Sequence, residues 1–172
     1  MSKAFTREDD SGSQEVVRPL LRPALPPGAK NYVTRDGAER FLAEQQERLR
    51  RRAELMGDSP SASTEEELAR VEARLAQLDF ILGSMVVVDP PASKDKVRFG
   101  AFVTIRENAA EMTYRIVGVD EIDLDRGWIS WQSPLAKALI NKGKGDKITF
   151  TASPTRREFE IIAVEYNPES AG

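Results

Sequence analysis

Apolar residues recur at steps of three and four between Leu68 and Leu82, as Leu68, Val71, Leu75, Leu78 and Leu82. That spacing predicts a helix with one continuous apolar stripe. A second long run without proline lies upstream, opened by Thr34-Arg35-Asp36-Gly37, whose hydroxyl can cap a helix from about Arg35 to Met56. Its apolar positions Ala38, Leu42, Leu49 and Met56 mark a heptad-like seam, interrupted by Gln45 and Arg52. Between the helices, Gly57 can end the first in a left-handed conformation and Pro60 stops its continuation. Thr64-Glu65-Glu66-Glu67 then has the spacing of a capping box for the second. Two helices joined by so short a loop predict an antiparallel hairpin, with arms on the order of 30 Å long at 1.5 Å per residue.

After Gly83 the period shortens. MVVVDPP, RFGAFVTIRE, TYRIVG, GWISW, KITFTA and REFEIIAVEY are short runs rich in β-branched and aromatic residues, each reading as a strand. Trp128 and Trp131 flank one of them, which predicts one ring in the core and one at the surface. Ser133-Pro134, a hydroxyl cap followed by proline at the first helical position, announces one short helix before KITFTA. The expected fold is therefore α+β: a two-helix coiled coil, then a small antiparallel sheet with one helix packed on it. Residues 1–30 carry Pro19, Pro23, Pro26 and Pro27 among charges and small side chains, a composition expected to stay a largely disordered tail. The division that follows is a tail over 1–30, the hairpin over 31–84 and the sheet domain over 85–168.

Composition narrows the chemistry. With 172 residues, 40% of them hydrophobic, the chain can bury one modest core and an elongated second element. The 28 acidic residues against 25 basic leave a net charge of -3, so wholesale coating of a nucleic-acid backbone is not expected. The absence of cysteine and histidine removes disulfides, thiolate nucleophiles, imidazole bases and the usual zinc ligands at once. Any metal would be a hard cation held by oxygen, and no tightly bound cofactor is expected. No signal peptide is visible at MSKAFTREDD and no apolar run is long enough for a membrane span, so the expected setting is cytoplasmic.

Two charged segments invite a functional reading. Asp58, Glu65, Glu66 and Glu67 gather four carboxylates at the turn of the hairpin, where they could assist a weakly held magnesium; Asp58 is the metal candidate among them. The plainer explanation is that the glutamates favour the positive end of the second helix. Arg48, Arg50, Arg51 and Arg52 form the other segment, with Arg48, Arg51 and Arg52 as candidates for RNA contact. Helical periodicity spreads the four over more than one face, and pairing with glutamates of the partner helix is the alternative. Asn141-Lys142-Gly143-Lys144-Gly145-Asp146 lacks the Ser/Thr and the following helix of a phosphate-binding loop.

The strings FGAFVTI (99–105), YRIVGVDEID (114–123), ISWQSPLAKALINKGKGD (129–146) and FEIIAVEY (159–166) resemble the C-terminal domain of the Gre-type bacterial transcript-cleavage factors. LPPGAKNYVTRDGAERF (25–41) and VVVDPP (86–91) look most like the B-type members of that family. The resemblance implies an FKBP-like C-terminal domain that docks on RNA polymerase at the mouth of its secondary channel. It also implies a coiled coil that enters the channel, close to the nascent RNA. Acidic tip residues would there stabilise a magnesium shared with the active site of the polymerase, which itself hydrolyses the RNA of a backtracked complex. The protein would be an accessory factor and not an enzyme. Carried over by position, Asp120, Glu121, Ser133 and Pro134 would lie on the docking surface.

At the tip the sequence departs from the family pattern, keeping Gly57 and Asp58 but placing Ser61 where a glutamate belongs. The stretch from Thr34 to Val88 is also shorter, by something like two helical turns on each side, or roughly 10 Å of reach. Weakened transcript cleavage is the expectation. A fully active cleavage factor, an FKBP-like peptidyl-prolyl isomerase and a coiled-coil adaptor without a polymerase partner are the competing readings, the isomerase disfavoured by the thin aromatic content.

Overall fold

The computed structural model describes residues 23–59, 61–152 and 155–166, so most of the expected tail, residues 1–22, lies outside the described residues. The chain enters through a turn at residues 27–28 and forms β1 (Asn31–Thr34), α1 (Arg35–Gly57), α2 (Ala62–Ser84) and β2 (Met85–Val88). β1 and β2 pair in parallel, Asn31 opposite Met85 through Thr34 opposite Val88. A parallel pair needs a long crossover connection, and the whole helical hairpin serves as that crossover. β1 was not expected from the sequence, and β2 pairs at the root of the arm instead of joining the main sheet.

The main sheet contains β3 (Phe102–Glu107), β4 (Ala110–Val117), β5 (Trp128–Ser130), β6 (Lys147–Ala152) and β7 (Thr155–Glu165), in the order β5-β4-β3-β7-β6. All neighbours are antiparallel except β4 and β5, which run parallel, so the sheet is mixed. The tight β3–β4 turn is possible because Asn108 takes φ of 55°, a left-handed conformation that asparagine tolerates. α3 (Pro134–Leu139) starts as expected, with Ser133 Oγ accepting from the Ala136 amide at 3.1 Å. It inserts Ala136 and Leu139 into a core with Val97, Val103, Ile105, Ile116 and Ile161. Two smaller clusters stabilise the arm: Val33, Ala38, Phe41, Leu78 and Ile81 at its root, and Leu55, Val71 and Leu75 further out.

Four local expectations are corrected. Leu42, Leu49 and Met56 do not form the inner seam of α1; they are 46%, 47% and 65% exposed, while Ala38, Phe41 and Leu55 are buried. Leu42 and Met56 each stand one position, a 100° step, beyond a buried residue, Phe41 and Leu55. α2 begins at Ala62 with Ser61 as its cap, its Oγ accepting from the Thr64 amide at 3.1 Å, so Thr64 lies inside the helix and makes no capping box. Gly57 stays helical, and the chain leaves α1 through an extended Asp58 at φ of -78° and ψ of 159°, without a left-handed cap. The two tryptophans do not divide between core and surface either, because both are half-buried.

The end of β7 is tied to the start of the sheet domain by one hydroxyl. Tyr166 donates to the Lys96 carbonyl at 2.6 Å and accepts from the Arg98 amide at 2.9 Å. Burial pushes its phenol above the usual range, against the lowering effect of Arg98. Tyr166→Phe leaves both backbone groups unpaired and is expected to cost about 1–3 kcal/mol, readable as a lower urea midpoint with an unchanged m-value.

Candidate functional site

The tip of the arm was the first candidate. Glu65 is in the first turn of α2 and exposed, Glu66 pairs with Arg70 at 2.9 Å within its own helix, and Glu67 accepts a fork from Arg51 at 2.9 and 3.0 Å. The Arg51 hydrogen bonds hold the Glu67 carboxyl below its usual range. Asp58 donates its backbone amide to the Glu54 carbonyl at 3.2 Å. Consecutive helical residues point about 100° apart, so sequence adjacency does not become a cluster of ligands. Among the described residues no group of three acidic side chains stands where it could hold a metal ion.

Three arginines of the segment pair within the hairpin itself. Arg51 and Arg52 cross to Glu67 and Glu72 on α2, and Arg48 lies 3.6 Å from Glu44 on its own helix. Glu44 also accepts a fork from Arg74 of α2 at 2.8 and 2.7 Å, which depresses its carboxyl. Gln45 donates to Asp79 at 2.6 Å. These staples run where the inner row of α1 has polar side chains, so charge replaces apolar packing along the middle of the arm. Each exposed pair contributes little, about 0.2–1 kcal/mol.

Where the arm meets the sheet, side chains converge that the sequence did not connect. Glu121, in the loop after β4, is buried, and its carboxylate is not presented to solvent. Its Oε2 accepts from the Thr34 amide at 2.9 Å and the Gly118 amide at 3.1 Å, and its Oε1 takes the Thr34 hydroxyl and lies 3.4 Å from Arg40. Two backbone amides, one at a strand end and one in a loop, fix that carboxylate in place. The neighbouring Asp120 accepts from Asn31 at 2.9 Å. Arg115 of β4 is buried, forks to Asp36 in the first turn of α1 at 2.7 and 2.5 Å, and has its guanidinium 4.7 Å from the Phe102 ring and 4.8 Å from the Trp128 ring. Burial raises the Asp36 carboxyl, but the Arg115 hydrogen bonds and charge outweigh it and leave a net depression. Arg40 covers Trp128 at 4.6 Å.

A signal for this joint was present in TYRIVG, where an arginine interrupts an apolar strand and so calls for a buried anion. Nothing along the chain named Asp36 as that anion. Ser133 is half-buried at the cap of α3 and Pro134 is exposed beside it. A cleft of about 240 Å³ opens next to the joint, lined by Arg35, Asp36, Glu39 and Arg115 with Phe99 and Tyr166.

A projecting helical hairpin seated on an FKBP-like sheet domain by the buried Glu121 and the half-buried Asp36 makes a protein that presents an arm. Sequence comparison supplies the family. Residues 92–166 match the family described as transcription elongation factor, GreA/GreB, C-terminal. Transcription elongation factor GreA of Paracoccus denitrificans is 35% identical over 136 residues, 78% of this chain and 85% of that protein. GreA of Acidiphilium cryptum is 43% identical over 107 residues, 60% and 68% of the two chains. A solved GreA/GreB factor from Nitrosomonas europaea aligns over 80% of this chain and all of its own, at 22% identity and a TM-score of 0.40. The chain belongs to the GreA/GreB family of transcription elongation factors, which are accessory proteins and not enzymes in their own right. Among the described residues no helix is long and apolar enough to cross a membrane.

Proposed function

We propose that this cytoplasmic factor binds RNA polymerase at its secondary channel, docking through the sheet domain around Asp120, Ser133 and Pro134 while the arm enters toward the nascent RNA. There it modulates backtracked or paused complexes with weakened stimulation of transcript cleavage. The observation that carries the weakened-cleavage reading is the tip itself, where Glu67 is bound in the Arg51 fork and the acidic side chains are not assembled. Any magnesium would belong to the polymerase, and Asp58, Glu65 and Glu66 are the exposed tip carboxylates. α1 has 23 residues, about 35 Å at 1.5 Å per residue, and the family resemblance calls for a longer arm. The B-type likeness of residues 25–41 belongs to this reading too, although the relatives compared above carry the GreA name.

Backtracked elongation complexes with end-labelled RNA provide the test. The expected result is specific binding to core polymerase with slow shortening of the RNA 3′ end, changed less than about threefold, under 0.7 kcal/mol, by Asp58→Ala. Rapid shortening abolished by Asp58→Ala would establish a fully active factor instead. Absence of any complex with core polymerase would leave only the adaptor reading.

A further inference from the structure

We propose that Glu121 is a positioning residue that sets the direction in which the arm leaves the sheet domain, with Gly37, Gly118 and Arg40 completing the socket around it. This rests on the reading of the arm as the part that enters the polymerase, where its direction decides what its tip can reach. Among the described residues no cluster of buried apolar side chains spans the junction: the root cluster draws on β1, α1 and α2, and the main core on the sheet and α3. Parts of one chain that lack a large apolar interface are expected to move relative to each other. The arm is held instead by contacts at its first residues. Thr34, the last residue of β1 and the cap of α1, gives both its amide and its hydroxyl to the Glu121 carboxylate while accepting the Gly37 amide at 3.1 Å. One carboxylate thus grips the point where strand becomes helix.

The two glycines show how closely the parts fit. A Cβ on Gly37 would lie 1.9 Å from Glu121 Oε1, and one on Gly118 would lie 2.1 Å from the Tyr32 carbonyl oxygen. Glycine within a helix costs about 1 kcal/mol relative to alanine, so its presence at position 37 is explained by the carboxylate and not by the helix. Arg40 closes the outer side, reaching Glu121 at 3.4 Å and covering Trp128 at 4.6 Å. Two further contacts cross the junction at β1, the Tyr32 ring on Phe99 and Trp131 and the Asn31 amide on Asp120. These contacts restrain the strand. Glu121 binds the residue that caps α1, and beside it the Arg115 fork on Asp36 ties the first turn of the helix to β4.

The absence of cysteine allows a clean distance measurement on the full chain. Spin labels at Ala62→Cys near the tip and Lys144→Cys on the sheet domain, both exposed positions, report the arm's direction by pulsed electron paramagnetic resonance. A single narrow distance distribution is expected for the parent. Glu121→Ala and Gly37→Ala are each expected to widen or shift it by about twofold in breadth, with arm helicity and the amide spectrum of the sheet domain retained. Gly37→Ala is informative because alanine strengthens a helix, so a wider distribution cannot come from a weaker α1. Should Glu121→Ala fail to fold, Gly37→Ala and the half-exposed Arg40→Ala decide the matter. Distributions matching the parent in these variants overturn the proposal. Polymerase plays no part in this measurement, so failure of the parent to bind polymerase ends the functional reading and leaves the distance result standing.

Discussion

Leu78→Ala is expected to lower the stability of the arm by about 2–5 kcal/mol. Leu78 is fully buried and meets Val33, Ala38, Phe41 and Ile81 in a cluster of five buried residues. Few neighbours can move in to fill the space, and the cost of a cavity grows with how little it collapses. The main core shares none of these residues, so the loss should appear as earlier melting of helix by circular dichroism while β-sheet amide signals persist. Leu49→Ala supplies the contrast. Its side chain is nearly half exposed on the outer face of α1, and a change within about 0.5 kcal/mol is expected there. Equal losses from the two substitutions would mean that the arm packs on its other face.

Arg115→Ala is the second large expectation and falls on the sheet domain. The substitution empties the space between Phe102 and Trp128 and leaves Asp36 without its partner. Removing one partner of a fully buried pair costs about 3–5 kcal/mol. Because the Asp36 side chain is 39% exposed and can be hydrated, roughly 2–3 kcal/mol is the better expectation. Arg115→Met should recover part of the loss by restoring packing without charge, and chemical denaturation of the three proteins side by side measures both contributions. Acid dependence provides a check on the charge. Asp36 has a folded pKa below its ordinary value of 3.8, so its contribution is fully present above that value and disappears as pH falls through the depressed one. That part of the acid limb should vanish in both variants.

Much of the fold can be read along the chain where one local rule suffices. The stripe from Val71 to Leu78 faces inward as its spacing requires, Ser133 and Pro134 start α3, and the six apolar runs are all strands. The outer edge of that success is α1. Two apolar rows compete on it, Phe41 and Leu55 against Leu42, Leu49 and Met56, and the second is the richer. Tertiary packing selects the first because α2 must also bring Leu78 and Ile81 onto Val33 of β1, and Arg51, Arg52 and Gln45 then meet acids across the hairpin.

The candidate site was less legible. Tip carboxylates adjacent in sequence are separated by helical rotation, and Glu121, read as a surface acid, is drawn inside by amides 87 positions away at Thr34 and three away at Gly118. By itself, then, the chain's periodicity determined its elements, the hairpin and the α+β class, since side-chain spacing dictates which residues share a face. Only the tertiary structure decided what each face meets: the inner row of α1, the parallel pairing of β1 with β2, and the carboxylate joint that seats the arm. Such contacts join residues far apart in the chain, and their free energy exists only once the parts have come together.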